Sequence, residues 1–283
     1  MDYYQAVANH KLQPLEKLQA DFRKLQDWPA TENQLKYCGN KIIYHYFLVE
    51  MMKVVCGNSQ MSIEEILKDP ETLDFWLAVA NRKKKQTGSL ASRLFETIRQ
   101  TVPLFAFKST TAKYIYKTLG AKRVLDPFAG WGGRLLGAAA LNIPYIGFDT
   151  NPGLQEPYKK MIDDLKFDPG NYLVKLQDCL EVDYSQYQFD LVLTSPPYLN
   201  LEKYPGMIPW ETEDEFYQEF LIPLLHKLQA GIQKPGWICL NISRSMYKSL
   251  TEDYKYRKCD REIELKQQKR YKKLPDLIYC WRG

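Results

Sequence analysis

From about residue 122 onward the chain alternates short β-rich runs with helical stretches, and this alternation restricts the fold more than any other feature of the sequence. RVLD over 123–126, YIGFD over 145–149, YLVKL over 172–176, FDLVLT over 189–194 and WICLNI over 237–242 read as five strands. Residues 134–141, 155–166 and 213–228 read as helices between them. Strands separated by helices build a parallel sheet covered on both faces, so the expected class is α/β with a Rossmann-like sheet. The tail departs from this pattern. Residues 262–267 and 277–281 are separated by only a short basic turn, which predicts an antiparallel hairpin closing the sheet edge.

The first hundred residues have a different texture. Leu12, Leu15, Leu18, Phe22 and Leu25 recur at three- and four-residue steps, the apolar stripe of one helix. Trp28-Pro29 ends it, because the residue before proline is pushed out of helical backbone. Residues 42–55 are denser in apolar side chains and read as a buried helix closed by Cys56-Gly57-Asn58. Ser62 and Glu65 have the capping-box spacing, and residues 74–79 continue a helical pattern. Asn81-Arg-Lys-Lys-Lys-Gln-Thr-Gly88 interrupts it, which places a loose boundary near residues 86–100. The expected organisation is a helical extension over 1–100 and an α/β domain over 101–283.

At 283 residues, 45% apolar and 26% charged, the chain is long enough for both parts. No apolar run approaches the ~20 residues of a membrane helix, and Met1-Asp-Tyr-Tyr-Gln lacks a signal pattern. The six cysteines include no C-x-x-C pair, which argues against a zinc site and against a disulfide framework. A soluble, cytoplasmic protein with no membrane association and no metal is expected. Charge is spread unevenly. Residues 1–120 carry 17 Lys/Arg against 12 Asp/Glu, residues 121–253 carry 12 against 18, and residues 254–283 carry 10 against 4. Two basic flanks around an acidic centre fit a polyanionic partner gripped from the sides, and fit solvated lysine-rich faces equally well. Lys83, Lys84, Lys85, Lys269, Arg270, Lys272 and Lys273 are the candidate phosphate contacts.

In an open parallel sheet, ligands bind at the carboxyl ends of strands, near the point where strand order reverses. The first strand ends in Asp126-Pro-Phe-Ala-Gly-Trp-Gly-Gly133, a glycine-rich turn into a helix that lets backbone approach a ligand closely. It is neither G-x-G-x-x-G nor a P-loop, which disfavours nicotinamide and nucleotide-hydrolysing sites. The second strand ends in Asp149, placed to accept both hydroxyls of a ribose. The third ends in Asp178 beside Cys179 and Leu180, where an acid could accept from an adenine amine while small apolar groups pack on the ring. Either acid alone is an ordinary helix cap or turn residue. At successive strand ends they describe a pocket for an adenosine. The fourth strand runs into Thr194-Ser-Pro-Pro-Tyr198, a rigid turn in which Ser195 and the Pro196 carbonyl can accept from an amino group. Tyr198 can stack on a flat ring. A nitrogen whose lone pair is delocalised into a ring needs its protons held before that lone pair can meet an electrophile.

The order D-P-F-x-G-x-G, strand-end Asp, strand-end Asp, T-S-P-P-Y resembles class I S-adenosylmethionine-dependent methyltransferases. Within them it is similar to the DNA enzymes that methylate cytosine N4 or adenine N6, including phage and large-virus members. The resemblance spans about residues 105–283. It implies S-adenosyl-L-methionine as cofactor, S-adenosyl-L-homocysteine as product, and no metal. It also implies that Phe107, Lys108 and Thr110 hold the methionine part, with Asp126, Pro127, Phe128, Gly130 and Gly132 lining that end. Asp149 and Thr150 would hold the ribose, and Asp178 and Cys179 the adenine. Ser195, Pro196, Pro197 and Tyr198 would form the amine site, with Ser195 also facing the cofactor. The partner implied is double-stranded DNA with its target base flipped out, in a cytoplasmic, nucleoid-associated or viral-host setting such as restriction–modification.

Amino-methyltransferases that read a sequence usually carry a recognition domain after the catalytic core, and only about 40 residues follow Asn241 here. Recognition is therefore expected from residues 1–100, residues 199–210, a second copy or a recognition subunit. A serine ahead of Pro-Pro-Tyr favours cytosine N4. Adenine-N6 methylation, RNA amino-methylation and a non-catalytic nucleic-acid-binding subunit are the alternatives. The intact S-P-P-Y speaks against the last.

Overall fold

The computed structural model describes residues 2–31, 38–56, 59–82, 88–102, 105–199, 202–203, 210–265 and 276–283. The first hundred residues form α1 (Tyr3–Asn9), α2 (Leu15–Asp27), α3 (Asn40–Met51), the short strand β1 (Val55–Cys56), α4 (Ile63–Lys68), α5 (Pro70–Arg82) and α6 (Leu90–Ile98). Then α7 (Ser109–Leu119) leads into β2 (Val124–Asp126), α8 (Gly133–Ala139), β3 (Tyr145–Asp149), α9 (Gln155–Asp164) and β4 (Tyr172–Leu176). After these come β5 (Leu191–Thr194), β6 (Glu202–Lys203), α10 (Ile222–Gly231), β7 (Trp237–Asn241), α11 (Arg244–Lys248), β8 (Arg261–Leu265) and β9 (Asp276–Arg282).

Seven strands form one sheet in the order β4-β3-β2-β5-β7-β9-β8. Neighbours from β4 to β7 are parallel, whereas β9 runs antiparallel to both β7 and β8. The expected α/β class and its terminal hairpin are the ones observed. The chain leaves central β2 toward β3 and β4, then returns to β5 on the other side. Strand order thus reverses at β2, and a crevice opens at the carboxyl ends there.

Successive strand residues face opposite sides, and the apolar content follows that period. In β9, Ile278 and Cys280 enter one core while Leu277, Tyr279 and Trp281 enter the other. The first core also takes residues of α7, α8 and α9 and the buried faces of the N-terminal helices, from Val7 to Ile98. Packing therefore has no break near residue 100: the helical extension and the sheet share one interior. Lys113 of α7 makes the join polar as well as apolar. It is 3% exposed, and its Nζ donates to the carbonyls of Leu25, Gln26 and Trp28 at 2.7, 2.7 and 2.6 Å. These are unpaired carbonyls at the end of α2, where a cation is favoured. Burial lowers the Lys113 pKa, as the removal of an ammonium from water requires. Lys113→Met is expected to cost about 3 kcal/mol by leaving three carbonyls without their donor, read as the shift in a urea unfolding midpoint.

Four local expectations change. Leu12 lies outside α2, which begins at Leu15 after Pro14, and both leucines are exposed. Residues 42–55 are not one helix: α3 stops at Met51, and Val55–Cys56 pair antiparallel with Glu202–Lys203. That partner lies far away in sequence, and local periodicity carries no sign of it. The helix expected over 213–228 is a π-helix at Glu215–Leu221 continuing as α10. Pro223 has no N–H for the residue-219 carbonyl and crowds it, so the preceding turn widens. The region assigned to a boundary contains α6, whose Leu94, Phe95 and Ile98 are buried. The capping box forms as read: Glu65 N donates to Ser62 Oγ at 3.2 Å and Ser62 N to Glu65 Oε2 at 2.7 Å. Among the described residues no helix is long and apolar enough to cross a membrane.

Candidate active site

A cavity of about 1230 Å³ opens at the carboxyl ends of β2, β3, β4, β5 and β7. One drug-sized ligand usually occupies a pocket of roughly 300–1,000 Å³, so this one exceeds what a single such ligand fills.

Its floor is the turn after β2. Asp126 lies beneath that turn, fully buried. Its Oδ2 accepts from Arg134 Nε and the Tyr145 hydroxyl, both at 2.6 Å. Its Oδ1 accepts from the Thr194 hydroxyl at 2.6 Å and from Phe128 N at 3.2 Å. One carboxylate thus ties the glycine-rich turn, α8, β3 and the strand that carries Ser195. Arg134 also donates to the Phe128 carbonyl. Burial opposes the guanidinium charge, yet Asp126 offsets it and raises the Arg134 pKa. Gly132 takes φ +74° to begin α8, a conformation costly for other residues. A Cβ on Gly133 would run into the Phe107 carbonyl, so a glycine there lets the 105–108 segment lie against the turn.

Asp149, at the tip of β3, faces the cavity half-buried. Its Oδ2 accepts from Gly130 N at 2.8 Å and its Oδ1 from Asn151 N at 3.1 Å. Two backbone amides fix the carboxylate plane and leave further lone pairs toward the cavity. Burial raises its pKa against those two amides, which pull it down. Asp178 is exposed, with Oδ1 accepting from Leu180 N at 2.7 Å. Burial, with Asp178 beside it, pushes the Cys179 thiol well up, so Cys179 is a neutral packing group and not a nucleophile.

On the far side of β2, Ser195, Pro196, Pro197 and Tyr198 line the same cavity. Asn241, at the tip of β7, organises them. Its carbonyl accepts from the Tyr198 hydroxyl at 3.0 Å and the Ser195 hydroxyl at 3.2 Å, and its Nδ2 donates to Ser195 Oγ at 3.4 Å. With its proton held by that carbonyl, Ser195 faces a ligand as an acceptor. Trp210 and Phe220 stand with ring centroids 4.8 Å apart, and Phe220 lies 5.8 Å from Phe128. This aromatic wall joins the glycine-rich turn to the Ser195 side.

The structure therefore brings Phe107, Lys108, Pro127, Phe128, Gly130, Asp149, Thr150, Asp178, Cys179 and Ser195 to Tyr198 into one lining. Three expected residues are not in it. Asp126 is a tie below the turn. Gly132 is buried, and a Cβ there would stand 3.0 Å from Phe47. Thr110 is fully buried in α7, and its neighbour Thr111 lines the cavity instead. The seven cations named as phosphate contacts, Lys83, Lys84, Lys85, Lys269, Arg270, Lys272 and Lys273, lie outside the described residues. Asn241 went unnoticed in the sequence, although a polar residue at the end of the next strand is the signal that marked Asp149. Trp210 and Phe220 carried no such signal. Among the described residues no group of three or more His, Cys, Asp or Glu side chains could hold a metal ion.

The strand order and the terminal antiparallel hairpin define a mostly parallel, Rossmann-like sheet. No protein-family model and no curated protein matches the chain. Solved structures with a related arrangement include an RNA methyltransferase from Salinibacter ruber in complex with S-adenosyl-L-homocysteine. It is 12% identical, with 63% of this chain and 93% of that one covered and a TM-score of 0.41. An rRNA methylase from Streptococcus thermophilus is 11% identical, covering 61% and 93%, with a TM-score of 0.42. TrmN from Thermus thermophilus is 13% identical, covering 74% and 78%, with a TM-score of 0.42. Likeness this remote leaves the chemistry to be argued from the cavity's own residues.

Proposed function

We propose that this chain is an S-adenosylmethionine-dependent amino-methyltransferase whose substrate is the exocyclic amine of a flipped DNA base, cytosine N4 ahead of adenine N6. The observation that carries this reading is the shared cavity: Asp149 at one strand tip and Ser195 to Tyr198 at another open into the same space. The residues fit the cofactor. Asp149 is an oriented carboxylate for two ribose hydroxyls, Cys179 and Leu180 offer an apolar bed for adenine, and the volume leaves room for a base.

The cofactor supplies an electrophilic methyl group on a sulfonium. The chain's own groups prepare the acceptor. Ser195 Oγ, its proton engaged by Asn241, and the Pro196 carbonyl accept the two amine protons and draw the nitrogen lone pair out of the ring. Tyr198, pinned by its hydroxyl to Asn241, supplies a flat face for the base. One amine proton is exchanged for the methyl group and leaves to water.

The test is methyl transfer from labelled cofactor to DNA, RNA and protein, with the product nucleoside identified by mass spectrometry. N4-methylcytosine in DNA is the expected product. N6-methyl-2′-deoxyadenosine alone would overturn the serine argument, and label in RNA alone would overturn the DNA substrate. In the same assay Tyr198→Ala is expected to lower turnover about 10- to 100-fold, the value of base stacking, with S-adenosyl-L-homocysteine affinity within twofold. A parental rate would remove Tyr198 from the target site.

A further inference from the structure

Residues of the N-terminal helices line the cavity too: Asn40 and Tyr44 of α3, Arg99 at the end of α6, and Phe105 beyond it. Helix α3 lies beside the glycine-rich turn. Phe47 of α3 stands against Gly132, and Ile43, next to Tyr44, is within 3.5 Å of where a Cβ on Gly133 would lie. On the reading above, that turn is where the methionine part of the cofactor ends, and the methionine part carries a carboxylate.

Among the described residues, three cations line the cavity: Arg99, Lys108 and Arg134. Arg134 is engaged below the turn by Asp126 and the Phe128 carbonyl. Lys108 lies near Asp276, which supports its charge against burial. Arg99 differs. Its Nε and Nη2 donate to Glu96 Oε2 at 3.2 and 2.7 Å, but Lys11 also pairs with Glu96, at 3.3 Å. Two cations on one carboxylate leave a positive charge in excess, and Tyr44 lines the cavity together with Arg99. The lining also holds Asp149, Asp178, Glu215, Glu219 and Asp276, against which an anionic group needs a cation beside it.

We propose that Arg99, with Tyr44 beside it, holds the α-carboxylate of the cofactor's methionine part, so that the N-terminal helical region is a wall of the cofactor site. The assignment rests on the cofactor reading above. It accounts for the single interior shared by the helices and the sheet, since a site built from both needs them in a fixed relation.

Calorimetry with the full chain tests it, comparing S-adenosyl-L-homocysteine with 5′-methylthioadenosine, which keeps the adenosine and sulfur and lacks the amino-acid end. Arg99→Gln is expected to weaken S-adenosyl-L-homocysteine about 10- to 100-fold, the value of a charge-assisted pair, and to leave methylthioadenosine within twofold. Arg99→Lys is expected to recover part of the loss and serves as the variant of record if Arg99→Gln does not fold. Equal weakening of both ligands would assign Arg99 a merely structural role and overturn the proposal. Unchanged S-adenosyl-L-homocysteine affinity with weakened DNA binding would overturn it in favour of a phosphate contact. If the parental protein binds neither ligand, the cofactor reading itself falls, and this assignment with it.

Discussion

Asp126→Ala is expected to lower stability by about 3–5 kcal/mol, the cost of leaving one partner of a buried ion pair without the other. The Arg134 guanidinium would remain with 6% of its side chain exposed and no counter-charge, while the Tyr145 and Thr194 hydroxyls and Phe128 N each lose an acceptor. Urea unfolding reads the loss. Adding Arg134→Met to the alanine variant should restore part of it, because the stranded charge is then gone. The effect reaches function through geometry. The turn carrying Phe128 and Gly130 and the strand carrying Ser195 are held by the same carboxylate, so cofactor affinity and turnover fall together. A loss below about 1 kcal/mol would show that water reaches Arg134 and that the tie is weaker than its burial implies.

Asp149→Ala is expected to weaken S-adenosyl-L-homocysteine by about 100- to 1,000-fold, since two ribose hydroxyls lose a charged acceptor. Gly130 N and Asn151 N lose theirs as well. Asp149→Asn separates the two contributions: it keeps the shape and one acceptor and is expected to fall between the alanine variant and the parent. The pH dependence has a definite sign. Burial places the folded pKa of Asp149 above the 3.8 of an ordinary aspartate, so the folded chain holds this proton more readily than the unfolded chain. Its contribution to stability is therefore fully present below the unfolded value and is lost as pH rises through the folded one. On the proposed function, cofactor binding needs the carboxylate and runs the other way. Affinity should fall as pH drops through the raised pKa, earlier than for an ordinary aspartate, and Asp149→Asn should flatten that fall. A parental profile that stays flat down to pH 4 would detach the cofactor from Asp149.

The strand tips were the most legible part of the molecule. Asp149, Asp178 and Ser195 to Tyr198 lie where alternation and strand-end reasoning put them, because a buried parallel strand must be a short apolar run and its cavity-facing residue is the polar one that follows. Asp126 shows the limit of that reasoning. It sits at a strand tip like the other two, yet Arg134 eight residues on, Tyr145 and Thr194 converge on it and take it out of the cavity. A position in the sequence says that an acid ends a strand, not which donors the fold will bring to it.

Local patterns in the chain specify the α/β class, the strands of the parallel sheet, the terminal hairpin and which residue type ends each strand. These follow from local rules: a two-residue period for strands, a 3.6-residue period for helices, and turn residues between them. Tertiary structure alone decided what depends on contacts between distant segments. Asn241 meets Ser195 and Tyr198 only because β7 pairs with β5. Val55–Cys56 become a strand only because Glu202–Lys203 lie beside them. Arg99 and Tyr44 border the cavity only because α3 and α6 pack into the core beneath the sheet. Such pairings are set by the free energy of the whole packed chain, and no window of neighbouring residues contains them.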